Sequence, residues 1–264
     1  MTDLYFGIDV QLSRGSSCAV INSDGVLTAA TRFKSPEDAS AWVAEIARST
    51  DSVPLIGIDA PRQPLTAPCP WHWNGRRRIW RARGSSEPGH GRHCEVVLSA
   101  HNLANPQWTP LVADVPPWMQ LGFDLFAALS EYNPVEVFPT ASYRLLNGKT
   151  DVRVELDFAE FARGPKDMID ACVAAATVRE FAAGRGEEVG GGDGLGTIVL
   201  PRRIAMGRIK DVFEWPAEGA TDAVPQHGEK PTERQAEQTE QPAAPAAEPP
   251  NEQPAAAEAS SEEE

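Results

Sequence analysis

LYFGIDVQLSRGSSCAVINSDGVLTAATR, residues 4–32, is the stretch that decides the fold. It contains three runs of strand-forming residues, and the turn sequence NSDG at residues 22–25 separates the second run from the third. Short strands joined by short turns predict an antiparallel meander. The first run is rich in apolar residues and ends at Asp9.

Helices and further strands alternate along the chain after this meander. Ser35 and Pro36 are typical of a helix start, with serine as the cap and proline at the first helical position. The run VPLIGID, residues 53–59, predicts a second buried strand. The remaining predicted elements are a helix from Trp118, a short strand in PVEVFP (residues 134–139), an alanine-rich helix from Pro165 to Gly184 and a last short strand or edge segment in GLGTIVLP (residues 194–201). This order predicts an α/β fold whose mixed sheet begins with a three-strand meander, continues with parallel strands and is flanked by helices.

The negative charge of the chain is concentrated near its C-terminal end. Residues 216–264 contain twelve acids and two bases, a net of −10 out of −14, which leaves about −4 for the other residues. No aromatic residue occurs in this segment, so it cannot bury enough apolar surface to offset the entropy lost on ordering. We therefore expect a single folded domain over residues 1–215 and a disordered acidic tail over residues 216–264.

The sequence also predicts a compartment. No run of 18 apolar residues occurs, so we expect no membrane span. The first ten residues, MTDLYFGIDV, have no basic region and do not match a signal peptide. Cys18, Cys69, Cys94 and Cys172 are far apart, which favours reduced thiols over a disulfide framework. These features predict a cytoplasmic protein.

Acidic residues lie on several predicted elements at positions where they could meet. Asp9 and Asp59 end strands, and Glu136 lies in the short later strand. Asp167 and Asp170 are three residues apart on the alanine-rich helix and so share one face. Carboxylates gathered at one edge of a sheet repel one another unless a cation compensates them, and Mg²⁺ or Mn²⁺ prefers oxygen ligands. The pattern predicts a divalent-metal site suited to phosphodiester cleavage.

Each of these acids also has a purely structural interpretation. An aspartate at a strand end is often a turn or cap residue. Asp167 lies in the first turn of its predicted helix, where an acid interacts favourably with the helix macrodipole. The ordered set of acids, rather than any single member, favours a functional site.

Six pieces of the sequence occur in the order found in a known family. They are FGIDVQLSRGSSCAVINSDG, LIGIDAPRQP, RHCEVVLS, WTPLV, VEVFPTASYRLL and DMIDACVAAATVREFAAG. Together they resemble the domain-of-unknown-function family numbered four hundred twenty-nine, described as predicted RNase-H-like nucleases, over residues 4–201. The DxxDA step at residues 167–171 also resembles the last helix of Holliday-junction resolvases.

The resemblance implies an RNase-H-like fold and a nuclease that uses Mg²⁺ or Mn²⁺ to hydrolyse phosphodiesters in DNA or RNA. It implies that Asp9, Asp59 and Asp170 are catalytic acids that bind the metal. Glu136 is then a candidate for a further catalytic acid, and Asp167 is a candidate for a further metal ligand.

Residues 62–115 depart from the regular pattern. This segment is rich in Pro, Trp and Arg without clear periodicity, which predicts either a functional insertion or short elements that the pattern does not reveal. Guanidinium groups pair with phosphates and indoles stack on bases, so an interface with nucleic acid is one interpretation. The predicted phosphate contacts are Arg76, Arg77, Arg78, Arg81 and Arg83. The alternative is a surface loop whose arginines pair with acids of the domain or of the tail.

The same insertion permits a zinc interpretation. Its candidate ligands are Cys69, His72, His90, His93 and Cys94. The spacing in CPWH suits a zinc site, whereas the spacing in HGRHC is less regular. In the family resemblance the RHCE step needs no zinc.

Two other functions compete with a nuclease. The first hairpin resembles the phosphate hairpin of actin-like sugar kinases, which would make the protein an ATP-dependent phosphotransferase, but no second hairpin of this kind occurs. The other alternative is a non-catalytic RNase-H-like module that binds nucleic acid or a protein. No GxSxG motif occurs, and GGGDGLG is more typical of a flexible connector than of a phosphate loop.

Overall fold

The structure, a computed structural model, describes residues 3–49, 53–155 and 164–204, all of which belong to one compact unit. The predicted domain boundary after residue 215 and the predicted disordered tail lie outside the described residues. The described strands are β1 (Leu4–Asp9), β2 (Ser16–Asn22), β3 (Leu27–Phe33), β4 (Leu55–Asp59), β5 (Trp71–Asn74), β6 (Ile79–Ala82), β7 (Val135–Glu136), β8 (Glu187–Gly190) and β9 (Thr197–Leu200). The described helices are α1 (Pro36–Ala47), α2 (His93–Ala100), α3 (Pro117–Ala128), α4 (Pro139–Leu146) and α5 (Pro165–Ala182).

The main sheet has five strands in the order β3-β2-β1-β4-β7. β1, β2 and β3 pair antiparallel, and β4 and β7 run parallel to β1. This arrangement confirms the predicted mixed sheet, with a meander first and parallel strands after it. The predicted last strand exists as β9, but it pairs with β8 in a separate two-stranded sheet and meets the main sheet through one bridge between Val137 and Val199.

Three of the helices begin where the sequence predicts them. The Ser35 hydroxyl accepts a hydrogen bond from the Asp38 amide at 3.1 Å, which caps the first turn of α1. α3 and α5 each have a proline in the first turn, and α5 ends just before Gly184, whose φ is +74°. Within the described ranges, no helix has both the length and the apolar character needed to cross a membrane.

The two faces of the sheet are covered by different helices. Phe6 and Ile8 point from β1 into an apolar core that also contains residues of α1 and α3. Tyr5 lies on the other face, in a cluster with alanines of α5. Because successive strand residues alternate between faces, Gly7 and Asp9 belong to the face that α5 covers.

Glycine allows α5 to lie very close to the sheet. Gly7 and Gly57 are paired neighbours on β1 and β4. A Cβ atom on Gly7 would lie 2.0 Å from the Ala171 carbonyl oxygen, and one on Gly57 would lie 2.6 Å from a methyl group of Val178. Such distances are impossible for real side chains, so the close approach requires glycine. It brings the N-terminal half of α5 to the strand ends where Asp9 and Asp59 lie.

The segment of residues 62–115 folds into short elements, as one of the two interpretations of the sequence predicts. β5 and β6 form a hairpin, and Trp73 from that hairpin packs against Val96 and Ala100 of α2. Sequence periodicity misses α2 because seven of its eight residues are buried, so no polar face marks it.

Candidate functional site

Two aspartates lie side by side at the ends of neighbouring strands. Asp9 on β1 and Asp59 on β4 are direct partners in the parallel register, so their side chains project from the same face of the sheet. Asp9 is buried and Asp59 is half-buried. Both line a cavity of about 490 Å³ that opens at the carboxyl ends of the parallel strands. This is where open α/β sheets place their ligands.

Burial and repulsion from neighbouring carboxylates raise the pKa of both carboxyl groups. Burial and the nearby Asp170 raise the pKa of Asp9 to about 7. Burial, Asp9 and Asp170 raise the pKa of Asp59 well above its ordinary value. A cluster of this kind favours any cation that can enter it, because positive charge relieves the repulsion.

Two buried oxygen atoms beside this pair have no hydrogen-bond partner among the described residues. They are Oδ2 of Asp9 and Oγ of Ser17, and Ser17 is the partner of Asp9 on β2. Buried polar atoms are normally satisfied. The two unsatisfied oxygens therefore mark a place where a polar ligand, water or ion would be favourable.

Asp170 reaches the same site from α5. Tyr143 donates a hydrogen bond from its hydroxyl group to Oδ1 of Asp170 at 2.8 Å, and the Lys166 ammonium group contacts Oδ2. The bond with Asp170 raises the pKa of Lys166, which stays positively charged beside the three aspartates. The Lys166 side chain is largely exposed, so this charge can move away from the site.

Glu136 is held by an arginine that the sequence prediction did not include. Arg92 donates two hydrogen bonds to the Glu136 carboxylate, at 2.8 and 2.6 Å, and the Arg62 amide donates a third at 3.2 Å. Burial raises the pKa of Glu136, and the adjacent Arg92 opposes that effect. This carboxylate lines the cavity, but both of its oxygens are engaged in a bidentate ion pair.

Arg92 also connects two other predicted motifs. Its guanidinium group donates to Glu95 at 3.1 Å and to the Thr109 hydroxyl at 2.9 Å. The pieces RHCE, WTPLV and EVFP thus meet in one buried network, through Arg92, Glu95, Thr109 and Glu136. In the sequence, the only indication of this network is that all three motifs belong to the family resemblance. Arg92 and Glu136 are 44 residues apart, so no local pattern connects them.

The Asp167 carboxylate also forms ion pairs with arginine side chains. Arg14 donates two hydrogen bonds to its carboxylate, at 2.9 and 3.0 Å, and Arg32 lies 3.9 Å away. This ion pair ties α5 to the turn between β1 and β2. Asp167 therefore lies near the site, but its carboxylate is already engaged by Arg14.

In their present arrangement, the acidic side chains do not form a complete coordination site for a metal ion. Across residues 3–49, 53–155 and 164–204, no three His, Cys, Asp or Glu side chains are positioned to hold one ion. Asp170 accepts a hydrogen bond from Tyr143 and contacts the ammonium group of Lys166. A cation between Asp9 and Asp59 would have to compete with Lys166 for Asp170.

The five predicted phosphate contacts fall into two groups. Arg78 donates to the Asn102 side chain at 3.0 Å, Arg81 pairs with Glu87, and Arg83 donates to the Glu87 carbonyl oxygen at 2.8 Å. Arg76 and Arg77 are exposed in the β5–β6 turn, and their side chains have no partner among the described residues. The turn thus leaves two of the five arginines available to a ligand.

The three histidines of the candidate zinc set have other partners, and its two cysteines are buried thiols. His72 pairs with Glu87, and His90 pairs with Asp114, both at 3.3 Å. His93 accepts a hydrogen bond at Nδ1 from the Gly192 amide at 3.2 Å. Burial raises the pKa of the Cys69 and Cys94 thiols, which disfavours the thiolate that zinc requires.

The glycine-rich segment has a structural role. Asp193 accepts a hydrogen bond from the His93 amide, the first residue of α2, at 2.8 Å. Gly190, with φ of +88°, lies so close to α2 that a Cβ atom there would be 2.5 Å from Cys94. GGGDGLG therefore caps α2 from a distant part of the chain.

Searches against protein-family models, curated proteins and solved structures find no significant match to this chain. The resemblance of its motifs to predicted RNase-H-like nucleases therefore stays a prediction.

Proposed function

We propose that the protein is a nuclease of RNase-H-like fold that hydrolyses phosphodiester bonds with Mg²⁺ or Mn²⁺. One observation carries the proposal: Asp9, which is buried, and Asp59, which is half-buried, are register partners at the ends of parallel strands near Asp170, and one Asp9 oxygen is unsatisfied. The strand order β3-β2-β1-β4-β7, with a meander followed by parallel strands, supports the fold assignment.

The donor groups at this site suit a divalent cation in their chemistry, and Asp170 would have to leave Lys166 to join it. Asp9, Asp59 and Asp170 supply carboxylate oxygens, which hard cations prefer, and Ser17 adds an unsatisfied hydroxyl group beside Asp9. When bound, such ions supply a water of lowered pKa and neutralise the charge that develops on the phosphate. We assign metal binding to Asp9, Asp59 and Asp170, and we assign Glu136 and Asp167 to ion pairs with Arg92 and Arg14.

Other residues of the chain would prepare the site for substrate. The hydroxyl group of Tyr143 fixes one oxygen of Asp170 and so orients the other. The ion pair of Arg92 with Glu136 keeps the acidic charge of that carboxylate from adding to the repulsion in the cavity. Trp118, Asn105 and Gln107 also line the cavity and offer an aromatic ring and amide groups to a nucleotide.

The proposal is tested by calorimetric titration of the full chain with Mn²⁺ and Mg²⁺. We expect one set of binding events that is lost or weakened at least tenfold in Asp9→Asn and Asp59→Asn. Asp124→Asn, an exposed acid on α3, is the matched control and should bind as the wild type does. Lys166→Met should bind the ions more tightly, because it removes the competing positive charge.

Cleavage is then measured on single-stranded, duplex, branched and hybrid DNA and RNA substrates. Metal-dependent cleavage that Asp9→Asn abolishes would support the nuclease. Equal binding by wild type and Asp9→Asn would contradict the metal site. Binding of nucleic acid without cleavage of any substrate would instead favour a non-catalytic module.

A further inference from the structure

A second cavity lies outside the acidic site and is lined mainly by aromatic rings. Its volume is about 130 Å³, and its aromatic walls come from Trp71, Trp73, Trp80 and Trp108. The rest of the lining includes Cys69, His72, His90 and the backbone around Gly89. The proposed chemistry at the aspartates uses none of these residues.

The walls of this tryptophan cavity are held in place by the insertion itself. Trp73 and Trp80 are partners across the β5–β6 hairpin, with ring centroids 6.4 Å apart at an angle of 54°. The indole Nε1 of Trp73 donates to the Ser99 hydroxyl at 3.2 Å, which ties the hairpin to α2. A preformed aromatic slot loses little entropy when a flat ring enters it.

Positive charge stands at the tip of the same hairpin. The turn at residues 75–78 begins two residues after Trp73 and ends two residues before Trp80. Arg76 and Arg77 are exposed there and have no side-chain partner in the part of the chain that the structure describes. Aromatic rings beside unpaired guanidinium groups match a nucleic-acid strand, in which each base is attached to a charged backbone.

The tryptophan cavity lies close to the acidic cavity. Glu95 lines the acidic cavity and Val96 lines the tryptophan cavity, and the two residues are consecutive on α2. Consecutive residues of a helix point about 100° apart, so the two cavities lie on neighbouring sides of α2.

We propose that the tryptophan cavity binds one unpaired base of a single-stranded nucleic acid, with Arg76 and Arg77 on adjacent phosphates. The cavity has the size of one base rather than of a base pair, so an intact duplex cannot enter it. The inference deepens the proposed function by naming its substrate class, and it rests on that function for the cleavage step alone. Strand binding itself does not require the aspartates.

The test measures binding without catalysis. The full chain is titrated, in the presence of a chelator, against fluorescein-labelled twelve-nucleotide oligothymidine, oligouridine and a blunt duplex of equal length, and anisotropy is recorded. We expect both single strands to bind more tightly than the duplex. A marked difference between oligothymidine and oligouridine would assign the strand as DNA or RNA.

Three variants separate stacking from charge. Trp71 is half-buried and lies outside the cluster of Trp73, Val96 and Ala100, so Trp71→Ala should fold. It should weaken single-strand binding about tenfold, whereas Trp71→Phe should retain most of the affinity. The Arg76→Ala/Arg77→Ala double variant should weaken binding and reduce the slope of log K against log salt by about 1.4, since each phosphate contact contributes about 0.7.

Arg48 is exposed and directly follows the last residue of α1, so Arg48→Ala serves as the charge control and should bind like the wild type. Equal affinity for duplex and single strands would overturn the inference, as would wild-type binding by both Trp71→Ala and the double arginine variant. Asp9→Asn should bind single strands normally in the chelator. If it does, and the wild type cleaves no substrate when Mg²⁺ or Mn²⁺ is added, the strand site is supported and the nuclease is contradicted. If cleavage depends on Asp9 but does not depend on the tryptophan cavity, the nuclease is supported and the strand site is contradicted.

Discussion

At the scale of single residues, Asp9 has the most informative environment. It is 4% exposed, and burial together with Asp170 raises its pKa to about 7, from an ordinary value of 3.8. Because the folded state holds its proton more tightly than the unfolded state, the contribution of Asp9 is most favourable below about pH 4. That contribution is lost as the pH rises to about 7 and stays lost above it.

Asp9→Asn should therefore stabilise the metal-free protein at high pH. The separation of the two pKa values corresponds to roughly 4 kcal/mol in the free energy of unfolding, at about 1.4 kcal/mol per pH unit. Urea unfolding in a chelator at pH 4.5 and pH 8 should show a gain that is small at the lower pH and a few kcal/mol at the higher. Asp124→Asn is the control. An equal effect at both pH values would show that Asp9 titrates normally.

Residue environments also explain which parts of the site a sequence can reveal. Asp9 and Asp59 are predictable because each ends an apolar strand, and parallel strands bring such ends together. The ion pairs of Glu136 with Arg92 and of Asp167 with Arg14 are not predictable in this way. Each joins residues 44 or 153 positions apart, and no periodicity records such a pairing.

At the scale of elements, the contact between α5 and the sheet positions the site. A Cβ atom at residue 7 would lie 2.0 Å from the Ala171 oxygen and 2.3 Å from the Ala175 nitrogen, both backbone atoms that cannot turn aside. Gly7→Ala must therefore push α5 away from β1. It should lower the free energy of unfolding by about 3 kcal/mol or more, at the upper end of overpacking effects.

The matched control is Gly75→Ala. Its Cβ atom would lie 3.6 Å from the nearest atom, an ordinary contact, so urea unfolding should show little change. If Gly7→Ala remains folded, Mn²⁺ affinity should also fall, because Asp170 moves with α5. Wild-type stability in Gly7→Ala would mean that α5 lies farther from β1 than this packing requires.

Predictability from sequence also varies from element to element. The meander and α1, α3 and α5 follow from strand-forming runs, prolines in first turns and a capping serine. α2 does not, because it is buried on nearly all sides. α4 also begins with a proline, Pro139, but it is only eight residues long and only two residues separate it from β7. The β5–β6 hairpin is stabilised by tryptophan packing on α2, which short-range sequence patterns cannot show.

At the scale of the whole molecule, the negative charge is concentrated in residues 216–264, the predicted acidic tail. Residues 216–264 carry a net charge of −10, against about −4 for the preceding residues. If Arg76 and Arg77 bind phosphates, this tail acts as a polyanion attached to the same chain. It would then compete with nucleic acid for those arginines, and competition between charges weakens as salt shortens the Debye length, which is about 10 Å at 0.1 M.

Deleting residues 216–264 should therefore tighten single-strand binding several-fold at about 0.05 M salt and have little effect at about 0.5 M. Anisotropy titrations with the labelled oligonucleotide measure both affinities. A second variant, in which the twelve acids of the segment are replaced by glutamine, keeps the length and removes the charge. If charge is the cause, this variant should match the deletion at low salt. An unchanged affinity in both variants would contradict competition by the tail, and an effect of the deletion alone would assign it to steric bulk.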